Sequence, residues 1–148
     1  MRFPEMRVLG SFGGLAGLVL GLALASSPVA AEDLSAVLYK SPTCGCCAGY
    51  AAYLRTKGFT VTERDVESLD AVKTMFSVPT ELQACHTMVI DGYVVEGHVP
   101  VGDVYKLLAK KPDIRGLALP GMPTGVPGMP RPQAERVTLY TFGKRSSR

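Results

Sequence analysis

The pattern of apolar and polar positions divides the chain into a leader and one short domain. Behind Arg2 and Arg7, residues 8–25 carry no charge, only Leu, Val, Ala, Gly, Phe and one Ser. Small residues follow at Val29-Ala30-Ala31, and the whole reads as a secretory signal peptide over residues 1–31, with Glu32 starting the mature chain. The competing reading is an uncleaved membrane anchor, but the stretch holds five glycines and is followed by a cleavage-like site. No cysteine lies near the cut to accept a lipid, so after cleavage no membrane attachment is expected.

Beyond the leader, residues 36–40 (AVLYK) form a β-prone run broken by Ser41-Pro42-Thr43. Cys47, Tyr50, Ala51 and Leu54 then recur at helical spacing until Lys57-Gly58, with Ser41 or Thr43 as the expected cap. This puts the cysteines at a helix N-terminus. Residues 60–66 (TVTERDV) alternate like a strand, and 69–76 (LDAVKTMF) form a short amphipathic helix. Cys85-His86 opens a strand at 87–90, Asp91-Gly92 signals a hairpin turn, and 93–96 returns. A last helix spans 101–111 and stops at Pro112. Met75 and Met88 fall inside elements and are expected in the core.

This β-α-β-α-β-β-α order predicts an α/β domain over residues 32–142. Its tail end is unusual, because residues 116–132 hold five Pro and four Gly with Met122 and Met129 among them. A loop of that length in so small a domain points to function or disorder. A strand is expected at 137–142, and 143–148 as a flexible basic tail.

Composition narrows the function. With 16 basic and 13 acidic residues and no long run of either sign, nucleic acid is not the implied partner. Four cysteines in an exported chain ordinarily mean two disulfides. Here three fall in Cys44-Gly45-Cys46-Cys47, which cannot staple distant loops, so their role is local chemistry. A helix N-terminus favours the thiolate, the form that binds metal or attacks disulfides. Cys46 makes a third thiol inside a C-x-x-C frame, which confuses disulfide exchange but strengthens Cu(I) binding.

A strand, cysteines at a helix N-terminus, a β-hairpin and a closing helix resemble the thioredoxin fold. In that comparison Cys44 and Cys47 keep the C-x-x-C frame, able to close a disulfide, and Cys85-His86-Thr87 stands where thioredoxins place a cis-proline and Thr. More closely, KSPTCGCC, ACHT, DGYVVEGHVP and LPGMPTGVPGM, in that order, resemble the CopG-like family of periplasmic copper-resistance proteins, from about Val37 to Phe142. Ala48-Gly49-Tyr50 departs mildly, where the family often shows Gly-Gly-Trp.

The resemblance implies a thioredoxin-like fold with a central mixed sheet flanked by helices, a periplasmic location, and copper handling. It brings Cys85 and His86 beside the dithiol, so the expected ligands are Cys44, Cys46, Cys47, Cys85, His86 and Met122. His98 and Met129 are further candidates, His98 as ligand or outer partner and Met129 as ligand or loop anchor. A structural zinc site is disfavoured, because adjacent Cys46 and Cys47 do not easily face one ion together with Cys44. Bridged Cu(I) ions fit the spacing better, so more than one ion is expected. Two functional readings follow: a copper-binding protein that cycles Cu(I) and Cu(II), or a thiol-disulfide oxidoreductase using Cys44 and Cys47. Copper ions are the expected partners, with other periplasmic copper carriers or efflux components implied by the family.

Overall fold

The computed structural model describes residues 34–123, 125–128 and 137–145, so the expected signal peptide and Met129 lie outside the described residues. Strand β1 (Ser35–Lys40) runs parallel to β2 (Thr60–Asp65), and α1 (Gly45–Thr56) makes the crossover that parallel neighbours need. Helix α2 (Leu69–Met75) leads through a 3-10 turn at Thr80–Leu82 to β3 (His86–Ile90), antiparallel to β1. Asp91 and Gly92 both take positive φ, 44° and 76°, and turn the chain into β4 (Tyr93–Glu96). Helix α3 (Val101–Lys110) then carries it back so that β5 (Gly116–Ala118) lies parallel to β4, with β6 (Tyr140–Phe142) antiparallel at the edge. The result is one mixed α/β sheet ordered β2-β1-β3-β4-β5-β6.

The expected order of elements is present, and β5 is an addition. Residues 116–118 read as the start of the Gly/Pro loop, because Gly116 hides the strand pattern. That glycine is what permits the pairing, since a Cβ there would come 2.1 Å from the Val94 carbonyl oxygen. The final strand is also shorter than the expected 137–142, as only Tyr140–Phe142 pair with β5.

Alternation along the strands sorts the core into two faces. On one, Ala36, Leu38, Met88, Ile90, Tyr93 and Val95 pack with Tyr50, Ala51 and Leu54 of α1 and with Val104, Leu107 and Leu108 of α3. On the other, Val94, Ala118 and Phe142 meet Val78, Phe76 and Leu82. All four β4 residues are therefore buried, as expected for a strand covered on both faces. Met88 is in the core, but Met75 is 70% exposed. Helix α2 ends there, Ser77 turns the chain at φ 56°, and Phe76 and Val78 reach the sheet instead.

Two local expectations also change. Cys44 occupies the α1 cap position, with no side-chain capping bond, while the Ser41 and Thr43 hydroxyls meet each other at 3.3 Å. Near the other end, Arg145 is held rather than free. Its guanidinium stacks 4.3 Å above the Tyr93 ring and donates to the Tyr93 hydroxyl and the Asp91 carbonyl. Among the described residues no helix is long and apolar enough to cross a membrane.

Candidate metal centre

The site begins at the first turn of α1. Cys47 starts the buried stripe that continues through Tyr50, Ala51 and Leu54, so its sulfur is fixed in the core while Cys44 and Cys46 are half-buried. Cys44 and Cys47 are joined in a disulfide, and Cys46 and Cys85 are free. Cys46 Sγ lies 3.4 Å from Cys44 Sγ. Cys85 stands immediately before β3, where its carbonyl oxygen is 3.6 Å from Cys47 Sγ. The four sulfurs all lie within 4.8 Å of one another. Burial first, and the neighbouring Cys46 thiol second, push the Cys85 thiol well above the usual thiol range, so without a positive partner it stays protonated.

Two imidazoles close the inner side. His86 shares the inward face of β3 with Met88 and Ile90, and His98 follows Gly97, whose φ of 75° turns the chain off β4. Their ring centroids are 4.9 Å apart, and the Tyr50 ring lies 4.9 Å from His86 and 5.1 Å from His98. Tyr50 is itself anchored by donating its hydroxyl to the Val99 carbonyl at 2.7 Å. His98 Nδ1 donates to the Pro127 carbonyl at 2.7 Å, and His86 Nδ1 lies 3.4 Å from Cys85 Sγ. The Nε2 atoms of both rings are buried and have no hydrogen-bond partner among the described residues. Leaving such an atom unsatisfied costs about 1–3 kcal/mol. Burial, helped by His98 and Lys73, lowers the His86 pKa to about 3, and burial lowers that of His98, so both rings are neutral with a lone pair to offer.

Two overlapping donor groups result. One is Cys44, Cys46, Cys47 and Cys85; the other is Cys47, Cys85, His86 and His98, and within each group the donor atoms lie within 4.8 Å of one another. Neither includes a carboxylate, so the donor set is sulfur and imidazole, which suits copper and other soft ions and not magnesium or calcium. Two buried nitrogens without partners also fit a metal better than an empty core. The structure thus gathers Cys44, Cys46, Cys47, Cys85, His86 and His98. Met122 stays at the surface, 50% exposed, on the same loop whose Val126 is buried and whose Pro127 holds His98.

A buried polar network lies behind Cys85 and His86, and sequence reasoning did not single it out. Glu96 is wholly buried on the far face of β4, and its Oε1 accepts from Lys73 Nζ at 2.5 Å and from the Ala84 backbone N–H at 2.7 Å. Its Oε2 accepts from the Thr87 hydroxyl at 2.7 Å, which in turn accepts from Lys73 at 3.2 Å. The available signal was an acidic residue ending an otherwise apolar strand, opposite Thr87 in register.

Residues 82–129, which include Cys85, His86 and His98, match a family described as a protein of unknown function, DUF411. No curated protein sequence matches the chain. Two solved structures do. One, "Copper resistance protein copG- Form 2", is 38% identical over 72% of this chain and 86% of that one, with a TM-score of 0.67. The other, "Copper resistance protein copG- Form 1", is 34% identical over 76% of this chain and 99% of that one, with a TM-score of 0.65. Identity at that level over most of both chains, on a shared backbone, means common descent: the chain belongs to the CopG family of copper resistance proteins.

Proposed function

We propose that this protein is a periplasmic copper-binding protein that holds Cu(I) as part of resistance to excess copper. Once the Cys44–Cys47 disulfide is reduced, Cys44, Cys46, Cys47 and Cys85 supply thiolates, and His86 and His98 supply imidazole nitrogens. The observation that carries the reading is that the two donor groups share Cys47 and Cys85, so six donors form one continuous cluster with two partnerless buried nitrogens. Ions held by the two groups would share the Cys47 and Cys85 sulfurs, and more than one Cu(I) per chain belongs to this reading. On this reading Met122, exposed on the loop that carries Pro127, receives or passes on an ion as a thioether that cannot be lost to a disulfide. Copper would be exchanged with other periplasmic carriers or efflux components, after export directed by residues 1–31.

The disulfide gives the reading a redox side. Closing Cys44–Cys47 from two thiols releases two protons and two electrons, which two Cu(II) ions accept to become two Cu(I). Reopening it requires two electrons from an external dithiol. The same bond supports the second reading, a thiol-disulfide oxidoreductase in which Cys44 is attacked or attacks and Cys47 resolves.

Anaerobic Cu(I) titration of the reduced protein against a competing chelator, with thiols counted before and after air, separates the two. Tight uptake that protects all four thiols supports the copper reading. Weak uptake with rapid loss of two thiols would replace it with the oxidoreductase.

A further inference from the structure

The groups that hold Cys85 and His86 in place come from the opposite face of the sheet. Along β3, His86 and Met88 face α1, while Thr87 between them faces α2 and pairs in register with Glu96 of β4. The Glu96 carboxylate takes one hydrogen bond from the Ala84 N–H and one from the Thr87 hydroxyl, the residues on either side of Cys85-His86. The next residue, Gly97, donates its N–H to the His86 carbonyl at 3.0 Å, and a Cβ on it would come 2.7 Å from Ala84 Cβ. Glu96-Gly97-His98 therefore grips the Cys85-His86 segment at three points and ends in the second imidazole.

We propose that Glu96, with Lys73 as its buried counter-ion, is a positioning residue that sets where the Cys85 sulfur and the His86 ring stand relative to Cys47 and His98. A buried ion pair is a weak device for stability alone, because desolvation offsets the attraction and apolar residues of the same size replace it readily. Its use here is directional. Two acceptor oxygens on one rigid carboxylate fix two donors three residues apart, which an apolar pair cannot do. Lys73 Nζ donates to the carboxylate, and its second contact, to Thr87, keeps that hydroxyl pointed at Glu96. The assignment rests on the copper reading for its purpose, but not for its test.

The test uses the full chain carrying Lys73→Met with Glu96→Leu, which removes both charges and both acceptors, beside Lys73→Met with Glu96→Gln, which keeps an acceptor for Ala84. Two copper-free readouts are taken: the alkylation rate of Cys85, followed by peptide mass spectrometry, and the His86 imidazole signals in NMR. The Leu pair is expected to raise Cys85 alkylation at least about tenfold and shift the His86 signals, while the Gln pair stays within about threefold of the parent. In Cu(I) competition the Leu pair is expected to lose about tenfold in affinity, the scale seen when groups supporting metal ligands are removed. If the Leu pair does not fold, Thr87→Val removes one grip alone and is expected to raise Cys85 alkylation several-fold. A folded Leu pair, or Thr87→Val in its place, with parental Cys85 reactivity and His86 signals would overturn the proposal. A parent chain that binds no copper would overturn the copper reading and leave the copper-free comparison to decide this one.

Discussion

His98 Nδ1 donates to the carbonyl oxygen of Pro127 at 2.7 Å. A carbonyl can only accept, so this bond fixes the proton on Nδ1 and leaves the lone pair on Nε2, the buried atom without a partner. The Gly/Pro loop thus acts on the site through its backbone, choosing the tautomer that can ligate. If Nε2 is a ligand, His98→Ala lowers Cu(I) affinity by at least about tenfold, since metal sites lose that much even when a supporting group is removed. The check is chelator competition on the reduced protein, and unchanged affinity would take His98 out of the donor set.

Pro127 is held in turn by a contact that only glycine allows. Gly128 takes φ 85°, and a Cβ on it would lie 2.5 Å from the Tyr50 nitrogen; a Cβ on Gly49 would lie 2.9 Å from the Gly128 carbonyl oxygen. Gly128→Ala is expected to cost about 1–3 kcal/mol from strained backbone and forced overlap. Because the displaced loop carries Pro127, the His98 ring should also lose its fixed orientation. Urea unfolding measures the first effect and imidazole NMR the second, and a variant with parental stability would mean that the loop does not close on α1.

The two neutral histidines predict an acid-sensitive fold in the copper-free protein. His86 is lowered to about 3, chiefly by burial, whereas an imidazole in the unfolded chain titrates near about 6.5. Between those values the unfolded chain binds protons that the folded one refuses. Stability is therefore complete above about pH 6.5 and is lost as pH falls toward about 3, on the order of 2 kcal/mol by pH 5 from His86 alone. His98, lowered in the same direction by burial, adds to the slope. Urea midpoints measured from neutral pH down to about pH 5 should fall steadily, and less steeply in His86→Gln. Equal slopes would show that acid sensitivity lies elsewhere.

Much of this was readable in the sequence because it is local. The spacing of Cys47, Tyr50, Ala51 and Leu54 located α1, and Asp91-Gly92 located the hairpin. The grouping of Cys44, Cys46 and Cys47 declared itself by adjacency. Other features depend on contacts between distant residues and leave no periodic trace. Gly116 reads as loop until β4 is present to pair with it. Glu96 reads as the polar end of a strand until Lys73 and Ala84 arrive from other elements. Met75 fits a helical core pattern until the chain turns at Ser77 and puts Phe76 there instead. The placing of His98 beside Cys47, Cys85 and His86 left no trace for the same reason, since its partner Pro127 lies 29 residues away.

Cys46 separates the two functional readings most directly. It takes no part in the Cys44–Cys47 disulfide, and it is not in the imidazole-containing donor group. Cys46→Ser removes one sulfur from the thiolate group and leaves Cys47, Cys85, His86 and His98 intact. The variant is expected to form the same disulfide in air, with one free thiol, Cys85, where the parent has two. Copper per chain, counted by mass spectrometry after anaerobic loading, should fall if bridging thiolates hold more than one ion, while tight binding of a remaining ion persists. An oxidoreductase predicts the reverse pattern. Without the competing thiol 3.4 Å from Cys44, exchange between Cys44 and Cys47 becomes cleaner, so disulfide reduction is kept or improved and the copper count is unaffected.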